Sequence, residues 1–383
     1  MTPTTAPSVR DLGVYVHWPY CARICPYCDF NVRKNRPVDA ERWAAALARD
    51  LETQAARAPG RRLVSVYVGG GTPSLAPAPV IAAVIDACRA LWPSADDLEV
   101  TLEANPTDAE AARFAAFRDA GVNRLSLGVQ ALNDADLKFL GRNHSAAEAR
   151  AAVAAAIDAF ARVSVDMIYA LPHQKTDDWA DALDEALSLG ATHLSLYQLT
   201  IEPETAFARA VARRAWSPPD ADAAADLFDL TQTMTAAAGL QAYEISNHAA
   251  PGAQARHNRL YWRGDDYIGV GPGAHGRLGG AEARAAFRAE RDPAAWLARV
   301  EATGDGVEEA SVLTAEEAFT ERLAMGLRAG EGVRLTPAES ARLSPRLETL
   351  AEDGLLVLDE NRLAATDRGR AVLDALLCEL LRD

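Results

Sequence analysis

Cys21, Cys25 and Cys28 fall in the run CARICPYC, with three residues between the first pair and two between the second. Asp29-Phe30 follows, so no fourth cysteine closes the set. Three thiolates on one short loop can ligate three irons of a 4Fe-4S cube and leave the fourth iron open to a second ligand. Two plainer readings stand beside this one. A structural zinc site normally has four ligands, and His17 on the preceding strand is the nearby candidate for the fourth. A disulfide with one odd thiol needs an oxidising compartment.

A loop of this kind needs a scaffold. Short β-rich runs alternate with Ala-rich helical runs along the first 240 residues. Strands are expected at Val14–Trp18, Leu63–Val68, Leu98–Leu102, Arg124–Val129, Ser164–Tyr169 and His193–Leu199. Helices are expected at about Ala40–Ala56, Pro79–Leu91, Asp108–Ala120, Ala146–Phe160, Thr176–Leu189 and Ala221–Ala238. This alternation implies a parallel sheet with right-handed crossovers. Six strands are too few for a closed eightfold barrel, so the expected fold is α/β: a partial (β/α)6 barrel. Sites in such folds sit at the C-terminal ends of the strands. The cysteine loop follows the first strand and Gly69-Gly70-Gly71-Thr72-Pro73 the second. Glu103 ends the third, Gln130 ends the fourth and Asp166 lies in the fifth. All of these converge on one rim.

The remaining segments read differently. Residues 1–12 lack an apolar signal stretch and read as a flexible tail. With no apolar run long enough to cross a bilayer, a cytoplasmic location is expected, where thiols stay reduced. Residues 13–240 form the barrel core. Residues 241–310, rich in Gly, Tyr and His, read as an irregular linker region with short strands. GVGPGAHG at Gly269–Gly276 superficially suggests a dinucleotide loop, but no fitting amphipathic helix follows it. Residues 311–383 read as helix, helix, hairpin, helix: a winged-helix-like unit, with Thr366 as the cap of its last helix. That unit carries 14 acidic and 9 basic residues, and the whole chain has a net charge of -15. Such a surface does not displace counterions from a duplex, so no nucleic acid is expected and the unit reads as a packing or partner module. Arg33, Lys34 and Arg36 form a local basic cluster after the cysteine loop. Cys88 and Cys378 read as buried core thiols.

Taken together, VYVHWPYCARICPYCDF, VYVGGGTPSLA, RLSLGVQALNDADLKFLGRNH, VDMIYALPHQ and RHNRLYWRGDDYIGVGPGAHG resemble the radical S-adenosylmethionine (radical SAM) superfamily. Within it they resemble the oxygen-independent coproporphyrinogen III oxidase-like family, over nearly the whole chain. The resemblance implies a radical SAM barrel, a 4Fe-4S cluster on Cys21, Cys25 and Cys28, and S-adenosyl-L-methionine at its open iron. It implies S-adenosylmethionine contacts from Tyr15, Tyr27, Gly70, Gly71, Thr72, Glu103, Gln130, Arg142 and Asp166. Arg142 suits a carboxylate, since a guanidinium fork matches two oxygens.

The family divides into oxidases and haem carriers. The oxidases resemble C-x3-C-x2-C-x-C, whereas Phe30 stands in the last place here, and they carry an N-terminal extension longer than the dozen residues preceding the first strand. Leu196–Pro203, LYQLTIEP, resembles the HemW-type haem chaperones, which are thought to bind haem and pass it to acceptor proteins. Their H-N-x-x-Y-W motif is here His257-Asn258-Arg259-Leu260-Tyr261-Trp262. The resemblance makes His257 the candidate axial ligand, with Asn258, Tyr261 and Trp262 beside it and His248 and His275 as lesser alternatives. It also implies haem as cargo, haem-accepting protein partners, a homodimer, and at most transient membrane contact. The rivals are a porphyrinogen oxidase and, from another class, a zinc- or cluster-containing binding module.

Overall fold

The computed structural model describes residues 9–280 and 283–382. Six strands, β1 (Asp11–Trp18), β2 (Arg62–Gly70), β3 (Ser94–Ala104), β4 (Arg124–Gln130), β5 (Arg162–Tyr169) and β6 (His193–Gln198), lie side by side in chain order. Every neighbouring pair is parallel. Their apolar positions are dense in Val and Leu because both faces are covered, as parallel sheets require. Helices α1 (Ala40–Arg57), α2 (Ala78–Leu91), α3 (Phe114–Asp119), α4 (Ala146–Ala159) and α5 (Thr176–Ser188) supply the crossovers, and α6 (Ala221–Ala237) follows β6. Local chemistry sets their starts. Asp39 caps α1 by accepting from the Arg42 amide, and Ser145 with Glu148 forms a capping box on α4. The buried residues of α4, Ala149, Ala152, Val153 and Ala156, follow helical spacing and face the sheet. The fold is thus the expected open six-stranded α/β barrel.

Residues 241–310 are not a linker. They contribute β7 (Gln241–Glu244), β8 (Asn247–Ala249), β9 (Asp266–Val270), β10 (His275–Leu278), β11 (Ala285–Ala289) and most of β12 (Val307–Val312). The complete order is β12-β11-β10-β9-β1-β2-β3-β4-β5-β6-β8-β7. β9 runs parallel to β1, and β8 antiparallel to β6, so this segment pairs with both edges of the barrel sheet. Exposed edges invite unwanted pairing, and this extension covers them. Its side chains join the main core, where Trp296 stacks on Trp43 of α1 with ring centroids 5.5 Å apart.

The expected tail lies outside the described residues up to residue 8, and Asp11 and Leu12 already belong to β1. At the other end, helices Ala315–Arg328 and Pro337–Glu352, a three-stranded sheet and a last helix Leu373–Leu381 enclose their own core around Leu323, Leu343 and Leu363. Thr366 does cap the short helix Asp367–Ala371. Cys88 is buried as expected, but Cys378 is exposed. Leu373, Leu376 and Leu380 occupy the buried stripe of that helix, and position 378 falls outside it. Arg328 bonds Glu244, and Glu331 receives both Arg259 and Arg263, so ion pairs tie this unit to the barrel.

Candidate functional site

The rim holds a cavity of about 380 Å3. Cys21, Cys25 and Cys28 line it, as do Tyr27, Gly70, Gly71, Thr72, Glu103, Gln130, Arg142 and Asp166. Six segments distant in sequence are thus gathered, five of them by strand ends and the sixth, at Arg142, by the loop after the helix Asp134–Phe139. Among the described residues, no group of three His, Cys, Asp or Glu side chains converges tightly enough to hold a single metal ion. A cube, whose irons are spread apart, asks only that each thiol reach its own corner.

Burial pushes the Cys28 thiol up to about 11 and raises Cys21, against a hydrogen bond with Thr72. Both are therefore thiols at neutral pH, and loading iron must release their protons. The loop is pinned from below. The Tyr15 hydroxyl lies 3.0 Å from His17 Nδ1, and His17 Nε2 lies 2.9 Å from the Asn31 carbonyl. Burial lowers His17 to about 4, so the ring is neutral: Nε2–H donates to the carbonyl and Nδ1 accepts from Tyr15. The Asn31 amide in turn donates to the Pro272 and Arg291 carbonyls. Tyr15 does not line the cavity, contrary to the expected ligand contact; it holds the loop through His17.

The glycines are needed for close approach. A Cβ on Gly71 would lie 2.7 Å from the Tyr20 carbonyl oxygen, and one on Gly70, whose φ is 107°, would lie 2.6 Å from the His17 ring. Glu103 accepts from the Tyr67 hydroxyl at 2.8 Å and the Gly70 amide at 3.1 Å. Burial, aided by the Asp166 charge, pushes its carboxyl up to about 7. Asp166 accepts from the hydroxyls of Ser126 and Ser164 at 2.9 and 3.0 Å, and burial raises it too. Gln130 closes β4 with φ 68°, rare for a side chain with a Cβ, at a register shift against β5. Such a bulge re-aims a side chain at a strand end. Arg142 donates to Cys25 Sγ at 3.3 Å, Asn105 Oδ1 at 2.5 Å and the Gly128 carbonyl at 2.8 Å, while its buried Nε has no partner. Asn105 also donates to Thr72 at 3.1 Å, linking the glycine run to Arg142. Nothing in the sequence singled out Asn105, Tyr67, Arg124, Ser126 or Ser195, because each stands alone within its strand without a diagnostic spacing.

The H-N-x-x-Y-W motif lies elsewhere. It forms helix α7 (Arg256–Arg263), packed against the N-terminal halves of β1 and β2. Glu99 of β3 accepts from the Arg256 and His257 amides, satisfying its first turn, and pairs with Arg162. His257 is 1% exposed; Nδ1 lies 2.9 Å from Ser65 Oγ and Nε2 2.7 Å from the Tyr261 hydroxyl. Burial depresses it to about 3. An axial ligand must offer iron a free ring nitrogen, and in this structure both nitrogens of the expected ligand His257 are engaged by hydroxyls. Tyr261 is spent on the same bond, Trp262 packs on Tyr243, and of the four motif candidates only Asn258 lines the cavity. His248 is likewise buried, whereas His275, at the start of β10, is exposed.

The chain matches the Radical SAM superfamily over residues 15–186 and the HemN C-terminal domain over 313–372. It is 42% identical over 394 residues to the mitochondrial radical S-adenosyl methionine domain-containing protein 1 of Mus musculus, covering 99% of this chain and 89% of that one. It is 38% identical over 376 residues to the heme chaperone HemW of Mycobacterium tuberculosis (strain H37Rv), covering 97% and 95%. The structure of coproporphyrinogen III oxidase (HemN) from Escherichia coli superposes with a TM-score of 0.80 at 23% identity, covering 98% and 91%, which establishes the shared fold. With the three-cysteine loop, the glycine cradle and the open barrel all in place, this chain belongs to the HemW-type family of radical SAM proteins.

Proposed function

We propose that the protein is a haem chaperone that binds haem and passes it to acceptor proteins. The observation that carries this reading is the 38% identity to a heme chaperone across 97% of the chain and 95% of that relative. Phe30, 61% exposed where the oxidases resemble a further cysteine, supports it. In this reading Cys21, Cys25 and Cys28 hold a 4Fe-4S cluster. The three-thiol donor set and the unpartnered Arg142 Nε facing the same cavity fit a cluster with S-adenosylmethionine beside it. When bound, the cluster would supply one electron to the sulfonium. The chain's own part is to position: Gly70 and Gly71 admit the ligand's backbone-like end, Thr72, Glu103, Gln130, Arg142 and Asp166 offer polar partners, and Tyr27 offers its ring. Haem iron is taken by His275, whose ring stands exposed beside the Pro272–Gly273 turn that holds the cysteine loop. A cytoplasmic location agrees with reduced thiols; among the described residues no helix is long and apolar enough to cross a membrane.

The test uses protein purified without oxygen and reconstituted with iron and sulfide. Haem is titrated while the Soret band is recorded, and coproporphyrinogen conversion is assayed in the same sample with S-adenosylmethionine and a reductant. Saturable haem binding near one per chain with no conversion is expected. Turnover of coproporphyrinogen without a Soret shift would establish the oxidase instead.

A further inference from the structure

The floor of the cavity holds a cation with nothing to bind. Arg124 opens β4, lines the cavity and is 2% exposed. Its backbone is paired with β3 and β5, but among the described residues its guanidinium makes no hydrogen bond and no ion pair. Its charge is felt by its surroundings: it opposes the burial-driven rise of Asp166 and Tyr67 and helps to depress His257. Yet Asp166 is satisfied by serine hydroxyls, and Glu99 by Arg162 and the first turn of α7, so no carboxylate of the chain reaches Arg124. A guanidinium turned away from bulk water into a cavity without a partner is unfavourable, and an anionic ligand there compensates it. The surrounding lining, Ser126, Ser195, Asn258 and Tyr67, offers neutral hydrogen-bonding groups that suit an anion's remaining lone pairs.

We infer that Arg124 is the anchor of a carboxylate subsite at the floor of this cavity, below the cysteine loop. Arg124 and Gln130 stand at opposite ends of β4, six residues apart, so at about 3.3 Å per residue their backbones are roughly 20 Å apart. The fork of Arg124 matches two carboxylate oxygens at once, which a lysine cannot do. The propionate of a tetrapyrrole carries such a group, whereas the amino-acid end of S-adenosylmethionine is placed at the rim. The inference takes only the tetrapyrrole ligand from the proposed function.

The experiment compares haem with haem dimethyl ester, which lacks the charge, by Soret titration on the full-length protein, and coproporphyrin III with its methyl ester by fluorescence quenching. Wild type is expected to prefer the free carboxylates by about 10-fold or more, the range of a hydrogen-bonded charge. Arg124→Met should abolish that preference, Arg124→Lys should leave it intermediate, and Arg124→Met should not lower the melting temperature of the ligand-free protein. Absence of preference in wild type for both pairs, or a preference unchanged in Arg124→Met or in Arg124→Lys, overturns the subsite. Haem that does not bind at all counts against the chaperone reading and leaves the metal-free pair to decide Arg124.

Discussion

The two ends of the barrel are built from equally conspicuous sequence, yet they are opposite in chemistry. At the rim, glycines let backbone and rings pack closely, Arg142 keeps an unpartnered Nε, and burial raises the Cys28 thiol and the Glu103 carboxyl above their ordinary values. At the closed end, the α7 helix carries a histidine, a tyrosine and a tryptophan, and its polar atoms are engaged: Glu99 caps the first turn, and Ser65 and Tyr261 take both nitrogens of His257. The rim is poised for something it lacks; the plug is complete. An aromatic, histidine-rich motif therefore marks a site only where its donors are left free.

Breaking the plug should cost the most. His257→Ala removes a fully buried ring, leaves Ser65 and Tyr261 without partners, and is expected to lower stability by about 3–4 kcal/mol. Chemical denaturation checks this, and a loss under 1 kcal/mol would mean the ring is not integral to the plug. At the rim, Gly71→Ala forces backbone to move away from the Tyr20 carbonyl. A destabilisation of about 2 kcal/mol and loss of S-adenosylmethionine binding are expected by the same denaturation and by calorimetry.

Acid should act on both ends. His17 and His248 at about 4 and His257 at about 3 are all depressed below their ordinary 6.5. Between pH 6.5 and about 4 the unfolded chain binds more protons at these rings, so the stability they confer is complete above pH 6.5 and is lost as pH falls. Glu103, raised to about 7, works the other way: its contribution is full below its ordinary 4.5 and is lost as pH rises towards 7. His144 and His193 are depressed as well, and Asp50, Glu110 and Asp166 are raised like Glu103; with the buried rings dominant, the ligand-free melting temperature should fall from pH 6.5 to 4.5. A flat profile would show that these rings are accessible. The smallest effect is at the surface: Phe30→Ala, on a side chain 61% exposed, should stay within about 0.5 kcal/mol of wild type by denaturation.

Much of this architecture was legible beforehand. The six barrel strands announce themselves as apolar runs, and Gly70, Glu103 and Gln130 mark strand ends, so the rim could be assembled from chain order alone. The sheet extension was not legible, because β7 to β11 are only three to five residues long and punctuated by glycine, too short for a two-residue period to show. The burial of His257 was hidden for another reason. Its partners Ser65 and Glu99 come from strands about 160 to 190 residues earlier, and no local pattern encodes that meeting. Arg124 illustrates the converse, since an isolated arginine in a strand looks like an edge residue until the barrel closes around it.

The contrast between rim and plug meets its most direct test in anaerobic Soret titrations of wild type, His275→Ala and His257→Ala, each scaled to its folded fraction. His275→Ala should lose the shift of a histidine-ligated haem, and His257→Ala should bind haem as wild type does. Loss of haem binding in natively folded His257→Ala, with His275→Ala unaffected, would place the haem iron at the plug and contradict this account.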